Sequence, residues 1–237
     1  VQMIFIGDLY QLPPVVTGAE KEIFKRHYKS QYFFDSKVFA ELPVEFVELE
    51  KIYRQTDGGF IHLLNSIRNN TVTEEQIREL NNRVGETSLN KVPYSIRLTT
   101  TNKMAREINA EELEKLGGHG AVFEADIDGD VEPSQMPTDI SLALKPGAQI
   151  MMLNNDRAGR WVNGTLGKIL SVEENGVVAE LEGGGIEKVE KHTWEVFHFS
   201  VDEKKGHIRS EVTGEFTQLP LKLAWAVTIH KSQGLTF

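Results

Sequence analysis

Leu219-Pro-Leu-Lys-Leu-Ala-Trp-Ala-Val-Thr-Ile-His-Lys-Ser-Gln-Gly-Leu-Thr-Phe237 is the stretch on which the reading of the chain turns. An apolar run, Leu219 to Val227, breaks abruptly into Thr228, His230, Lys231, Ser232, Gln233 and Gly234. A lysine point charge, two hydroxyls, an amide and a glycine that lets backbone N–H groups approach are the parts of an anion site. They also suit a solvated loop after a core strand. Composition alone leaves both readings open.

Outside this stretch, composition sets bounds. The 237 residues suffice for one large domain or two small ones. With 40% hydrophobic and 26% charged residues, the chain reads as an ordinary soluble globular protein. It has no cysteine, which rules out disulfides and thiolate metal sites and fits a reducing, cytoplasmic setting. No apolar run reaches the roughly 18 residues of a membrane span, and no signal peptide is legible. The net charge of −9 opposes nucleic acid as a bulk field. Its distribution is uneven. Ser141 to Val172 carries four bases and one acid, whereas Glu173 to Glu190 carries six acids and one base.

Taken in order, the chain opens on a β-forming run, Val1 to Ile6, that ends in Gly7-Asp8-Leu-Tyr-Gln11-Leu-Pro-Pro14. Loops at the carboxyl ends of parallel strands are where α/β proteins place ligand groups. Pro13 and Pro14 stiffen this one, so Asp8 and Gln11 are candidates, with local turn bonding as the other explanation. A helix is expected from Glu20 to Arg26. Tyr32-Phe33-Phe34 is expected in the core, Ser36 as a cap and Val44 to Leu49 as a strand. Gly58-Gly59 reads as a break. Phe60, Leu63, Leu64 and Ile67 then fall at helical spacing. Thr73 and Gln76 form a capping box for the next helix. Ser95 to Thr101 reads as a strand, Asn102 as the cap of a helix to Leu116, and Asp126 to Pro137 as a loop. Asn163-Gly164 carries a hairpin signal. Short apolar stretches with turns at Asn175-Gly176, Gly183-Gly184-Gly185 and Lys204-Lys205-Gly206 suggest a small antiparallel barrel or sandwich between Thr165 and Gln218.

Several loops thus suit phosphate, yet no Gly-x-x-x-x-Gly-Lys-Ser/Thr loop is present. Gly164-Thr-Leu-Gly167-Lys168 has the wrong spacing, with Ile169 where a hydroxyl is needed. The seven histidines have no ligand spacing.

Four stretches together resemble the RecD-like/PIF-type DNA helicases of superfamily 1. Gly7-Asp8-x-x-Gln11-Leu12-Pro13-Pro14 resembles motif III. Tyr53-Arg54-Gln55 with the helix Phe60–Arg68 resembles motif IV. Lys145-Pro-Gly-x-Gln149 through Val162-Asn163-Gly164-x-x-Gly167 resembles the lead into the family's inserted subdomain. Thr228-Ile-His-Lys-Ser-Gln-Gly234 resembles motif V.

The resemblance implies an α/β fold with a RecA-like, P-loop NTPase-type parallel sheet. Residues 1–55 would be the end of the first RecA-like domain. Residues 56–164 and 219–237 would be the second, with an inserted SH3-like β-barrel at 165–218. It also implies ATP and Mg2+ in a full-length parent, with neither expected on this chain, because the P-loop and Asp-Glu pair would precede Val1 and the last motif would follow Phe237. Single-stranded DNA would be driven 5′ to 3′ by a monomeric enzyme serving DNA repair and recombination. Gln11 would sense the γ-phosphate, Asp8 would orient its loop and Arg54 would reach the γ-phosphate. Gln233 and Gly234 would lie near the nucleotide. Thr228, His230, Lys231 and Ser232 would contact the DNA backbone. Trp161 would stack on a base or else be a core residue. The other reading of the same motifs is a non-catalytic single-stranded nucleic-acid-binding module.

Overall fold

The computed structural model describes residues 4–14, 16, 24–53, 55–82, 84, 93–202 and 207–232, leaving aside the side chains of 198–202, 207–209 and 231. They divide into two compact units, Val1–Glu86 and Thr87–Phe237. This is a boundary of compactness, distinct from the motif boundary at 55/56.

In the first unit, helix α1 (Gly58–Arg68) begins where Asp57 accepts from the Phe60 amide at 3.0 Å. Gly58-Gly59 therefore opens a helix instead of breaking the chain, since a side-chain cap meets an amide the first turn cannot bond. Helix α2 (Glu74–Asn81) carries the expected capping box of Thr73 and Gln76. The box also ties the helices together. Gln76 accepts from the Thr73 amide at 2.9 Å and donates at 3.1 Å to Ser66, a buried residue of α1.

Among the described residues the expected strands are not formed in this unit, and Val1 to Met3 lie outside the described residues. Residues 4–6 and 44–49 lie outside any ladder, and Ile6 is 92% and Phe46 84% exposed. A strand needs a neighbour to bond its amides, and among the described residues this unit offers none. Tyr32, Phe33 and Phe34 likewise pack on one another and on Phe39 (Tyr32–Phe34 5.2 Å, Phe33–Phe39 5.2 Å) but leave Phe33 half exposed. Residues 24–27 are helical, and the rest of the expected helix lies outside the described residues.

The second unit runs β1 (Arg97–Thr99), α3 (Asn102–Lys115), β2 (Ala121–Glu124), β3 (Asp126–Gly129), β4 (Ser141–Leu144), β5 (Gln149–Met152), β6 (Leu166–Glu173), β7 (Gly176–Leu181) and β8 (Ile186–Glu190). It continues with β9 (His192–Asp202), β10 (His207–Gln218), β11 (Leu221–Leu223), β12 (Ala226–Thr228) and a short helix α4 (Ile229–Ser232). Four sheets result: β1-β12, β2-β4, β3-β10-β9 and β11-β5-β6-β7-β8. Only β1 and β12 pair in parallel among the described residues. The α/β class holds, but the ladders close no barrel. Residues 165–218 share their sheets with β5, β11 and β3.

Three local departures have physical reasons. Asp126–Gly129, a poor strand by composition, pairs with β10, so a waiting partner overrides propensity. Helix α3 is capped by Thr101, which accepts from the Met104 amide at 3.2 Å, one residue before the expected Asn102. Asn163-Gly164 sits in a turn closed by Thr165 N–H to Val162 O at 3.0 Å. Gly164 alone of that pair has positive φ, at 93°, as in a type II turn. The triple glycine does form the β7–β8 hairpin tip, with Gly183 and Gly184 at φ 104° and 88°.

The main core packs Phe123 and Leu144 of the β2-β4 pair with Ile150, Ile169, Val177 and Leu221 of the five-stranded sheet. Gln218 lies fully buried at the seam between β10 and β11. It donates to the carbonyls of Phe123 (2.8 Å) and Ile140 (2.9 Å) and accepts from the Leu219 amide at 2.9 Å. Replacing it by Leu orphans these groups. Gln218→Leu is expected to lower the stability of the second unit by about 2 kcal/mol or more, read as a fall in urea midpoint at unchanged slope.

Candidate nucleic-acid interface

Strands β1 and β12 run parallel, with Arg97 beside Ala226, Leu98 beside Val227 and Thr99 beside Thr228. Both therefore end at the same edge, and each feeds a helix, β1 through Thr100 and Thr101 into α3, β12 directly into α4. Branched Thr and Val suit the strands, and the polar residues that follow cannot continue a buried ladder. Amides at a helix start have no partner within the helix and point outward, where an anion is favoured. Two such starts side by side form a concave polar edge. An open groove of about 690 Å3 reaches this edge. It runs between α3 and residues 136–141, and Asn102, Arg106 and Thr228 are among its lining residues.

The motif residues are distributed along this edge. Thr228 is buried, at 6% exposure, and meets the groove at its rim. His230 is exposed on α4. The half-buried Ser232 donates to the Ile229 carbonyl at 2.8 Å, a bond internal to its helix. Lys231 belongs to α4, but its side chain is outside the described residues, as are Gln233 and Gly234. Sequence reasoning missed the other half of the edge, Thr99 to Asn102 with Arg106. The signal was there: Thr99 to Asn102 places three threonines and an asparagine where a strand passes into a helix, as Thr228 to Ser232 places polar residues at another such passage.

In the first unit, Asp8 organises its loop. It accepts from the Tyr10 amide at 3.0 Å, from the Gln11 side chain at 3.3 Å and from Arg68 of α1 at 3.3 Å. Arg68 also stacks on Tyr10, 4.3 Å from the ring centre. The Tyr10 N–H, then Gln11 and the Arg68 charge, hold the Asp8 carboxyl below the ordinary aspartate range. Asp8 is thus bonded to Gln11 and tied to the end of α1. Arg54 lies outside the described residues, so its place relative to Gln11 is not described.

Trp161 takes the second of its two expected readings. It is 6% exposed, packs in the main core, and donates from its indole N–H to Asn154 at 2.9 Å. The Arg160 guanidinium lies over the ring at 4.3 Å and is held there by two bonds to Asp156, at 2.7 and 2.9 Å. A base would have to displace that lid to stack on the ring. The side-chain bonds from Arg160, helped by the amides of Arg160 and Ala158, hold the Asp156 carboxyl far below its usual range.

Comparison with protein-family models finds none that matches the chain. Individual proteins do match. The human ATP-dependent DNA helicase PIF1 is 33% identical over 251 residues, taking in 100% of this chain and 35% of that protein. The ATP-dependent DNA helicase Pif1 of Bdellovibrio bacteriovorus is 30% identical, over 100% of this chain and 50% of that protein. The crystal structure of a Bacteroides Pif1 in complex with ADP-AlF4 superposes with a TM-score of 0.75 at 36% identity, covering 98% of this chain and 53% of that one. Bacteroides Pif1 bound to single-stranded DNA gives a TM-score of 0.69 at 37% identity, with 98% and 53% covered. Over its whole length the chain is similar to part of these ATP-dependent DNA helicases of the PIF1 type. It spans about a third to a half of the length of these curated relatives.

The Asp156 contacts make a prediction about pH. A carboxyl depressed in the folded state stabilises above its unfolded pKa, about 3.9, and the contribution is lost as pH falls below that value. Asp156→Asn at neutral pH and the parent chain in acid should therefore converge. In both, the amides of Ala158 and Arg160, which donate to Asp156 at 2.9 and 3.2 Å, are expected to lose exchange protection before the rest of the core does.

Proposed function

We propose that the chain is part of an ATP-dependent DNA helicase that moves along single-stranded DNA, 5′ to 3′, and unwinds duplexes. The observation that supports this best is the pairing of Thr99 with Thr228, which puts two strand ends and two helix starts on one edge. A sugar–phosphate backbone could be followed there by hydroxyls and backbone amides without reading bases. In this reading Thr228, His230, Lys231 and Ser232 hold the DNA backbone, while Gln233 and Gly234 lie toward the nucleotide. Gln11 reports on the γ-phosphate in a loop set by Asp8, and Arg54 supplies a cation to the transferring group. Trp161 supports the turn beside the DNA path and reaches a base only if Arg160 moves aside. Residues 1–55 would end a first RecA-like domain. Residues 56–164 and 219–237 would form the second, with 165–218 as an SH3-like insertion.

ATP is the energy source implied for the longer protein. The residues given do not by themselves fit Mg2+. The sequence holds no P-loop, its one Asp-Glu pair (Asp202-Glu203) runs straight into Lys204-Lys205-Gly206, and among the described residues no three His, Asp or Glu gather as a metal site. Asp8 is engaged by Tyr10, Gln11 and Arg68. The chain alone is therefore expected to be inactive.

Two measurements test the reading. The purified chain should bind fluorescent oligothymidylate, with an affinity that falls as salt rises by a log–log slope of about −0.7 per phosphate contacted, yet show no DNA-stimulated ATP turnover. Absence of binding removes the proposal. In a longer protein that includes the P-loop, Arg54→Ala should cut ATP turnover by about 10³-fold or more, the scale of losing an arginine finger. Single-strand binding without turnover in that longer protein would instead favour a non-catalytic binding module.

A further inference from the structure

Between Leu223 and Ala226 the chain changes sheets. Leu223 still faces Ile150 in the five-stranded sheet, while Ala226 already lies beside Arg97 in the parallel pair. At such a crossing backbone groups lose their ladder partners, and buried ones must find others. Two are met by backbone: the Ala224 amide donates to the Gln149 carbonyl, and the Trp225 carbonyl accepts from the Arg97 amide, each at 2.9 Å. Side-chain amides meet the rest. Gln149 donates to the Ala224 carbonyl at 2.8 Å. Asn109, on α3 and 9% exposed, accepts from the Ala226 amide at 2.8 Å and donates to the Ala226 carbonyl at 2.9 Å, with a weaker reach to Leu223 O at 3.4 Å. Only one orientation of the Asn109 amide serves, because the Ala226 N–H needs an acceptor and the carbonyls need a donor.

The consequence concerns Thr228, two residues further on. Helix α3 starts from the end of β1, so it is already joined to that strand by the chain. Asn109 joins it to β12 as well. The ion pairs of Glu112 with Arg97 (2.9 Å) and Lys115 (3.0 Å) are more exposed and do not touch β12, so they do little for this alignment. We propose that Asn109 is a positioning residue, which locks the strand carrying Thr228 to helix α3 so that both halves of the polar edge meet a nucleic-acid backbone as one rigid surface. This deepens the functional reading above and rests on it.

The test uses the 237-residue chain and fluorescent oligothymidylate over a range of salt. Asn109→Ala leaves room for a water to bond the freed groups. Asn109→Asp keeps the acceptor but turns a carboxylate on two carbonyls. Thr228→Val reports on the contact itself. Folding is judged by near-UV dichroism. Asn109→Ala is expected to stay folded, to bind about tenfold more weakly with a shallower salt slope, and to lose exchange protection at the Ala226 amide. Combined with Thr228→Val it should add little further loss, which a general effect on stability would not produce. Asn109→Asp should be weaker still. If Thr228→Val weakens binding while Asn109→Ala binds like the parent, or if the two losses simply add, the positioning role is overturned. An Asn109→Ala chain that does not fold overturns it too, because the residue is then a determinant of folding. If neither Thr228→Val nor Asn109→Ala alters binding, the interface itself is misplaced and the inference falls with it.

Discussion

Buried backbone groups must be bonded, and the second unit meets this demand at places where no ladder can. Among the described residues its strands fall into four sheets that share no backbone ladder with one another. At each crossing between them the main chain leaves one ladder before the next begins. Carboxamide side chains fill the gaps. Gln218 serves the step from β10 to β11 and reaches across to β2 and the approach to β4. Gln149 and Asn109 serve the step from β11 to β12. An amide is suited to this because it donates and accepts at once without bringing a charge into the core. A leucine of the same size would pack, but would leave each seam with orphaned groups costing more than the added apolar contact returns.

These seams also explain why the site is where it is. Parallel β1 and β12 form a sheet of two short strands, too small to be stable alone. It is held by α3 on one side and by the seam at Ala224 and Ala226 on the other. The polar edge thus depends on core contacts several residues behind it. At this edge the strands end and the helices start, and its rigidity comes from the buried bonds behind it.

What the sequence disclosed follows from the range of the forces involved. Local rules worked where partners are near. The capping box at Thr73 and Gln76 and the glycine hairpin tip between β7 and β8 are both short-range devices. The alternation of Val177, Ala179 and Leu181 also matches a strand with one buried face. Reading failed where the deciding partner is distant. Residues 44–49 have strand composition and no neighbour. Asp126 to Gly129 have loop composition and a neighbour in β10. For the site, Thr228 to Ser232 declared themselves by an apolar run ending in polar residues. Thr99 and its followers did not, because their role depends on a strand far along the chain: the Thr99 hydroxyl bonds the Val227 carbonyl across 128 residues. Carboxamides such as Asn109 were silent for the same reason, since a buried asparagine and a surface one look alike in sequence.

The charge balance then limits how such an edge can work. At −9 the chain repels a polyanion at long range. At physiological salt, however, fields between exposed charges fade beyond about 8 Å, so distant acids matter little once contact is made. For an anion at this edge, what would remain is local: backbone amides at two helix starts, a few hydroxyls, His230 and Arg106 on α3. Amides and hydroxyls are fixed dipoles that need no counterion and lose little entropy when they bind, provided the backbone carrying them is already rigid. A long lysine can find a phosphate from a loose loop, but a backbone N–H cannot. An acidic protein that gripped a phosphate chain in this way would depend on the alignment of its two strand ends more than on its number of bases, and the buried amide of Asn109 bonds the second of those strands to α3.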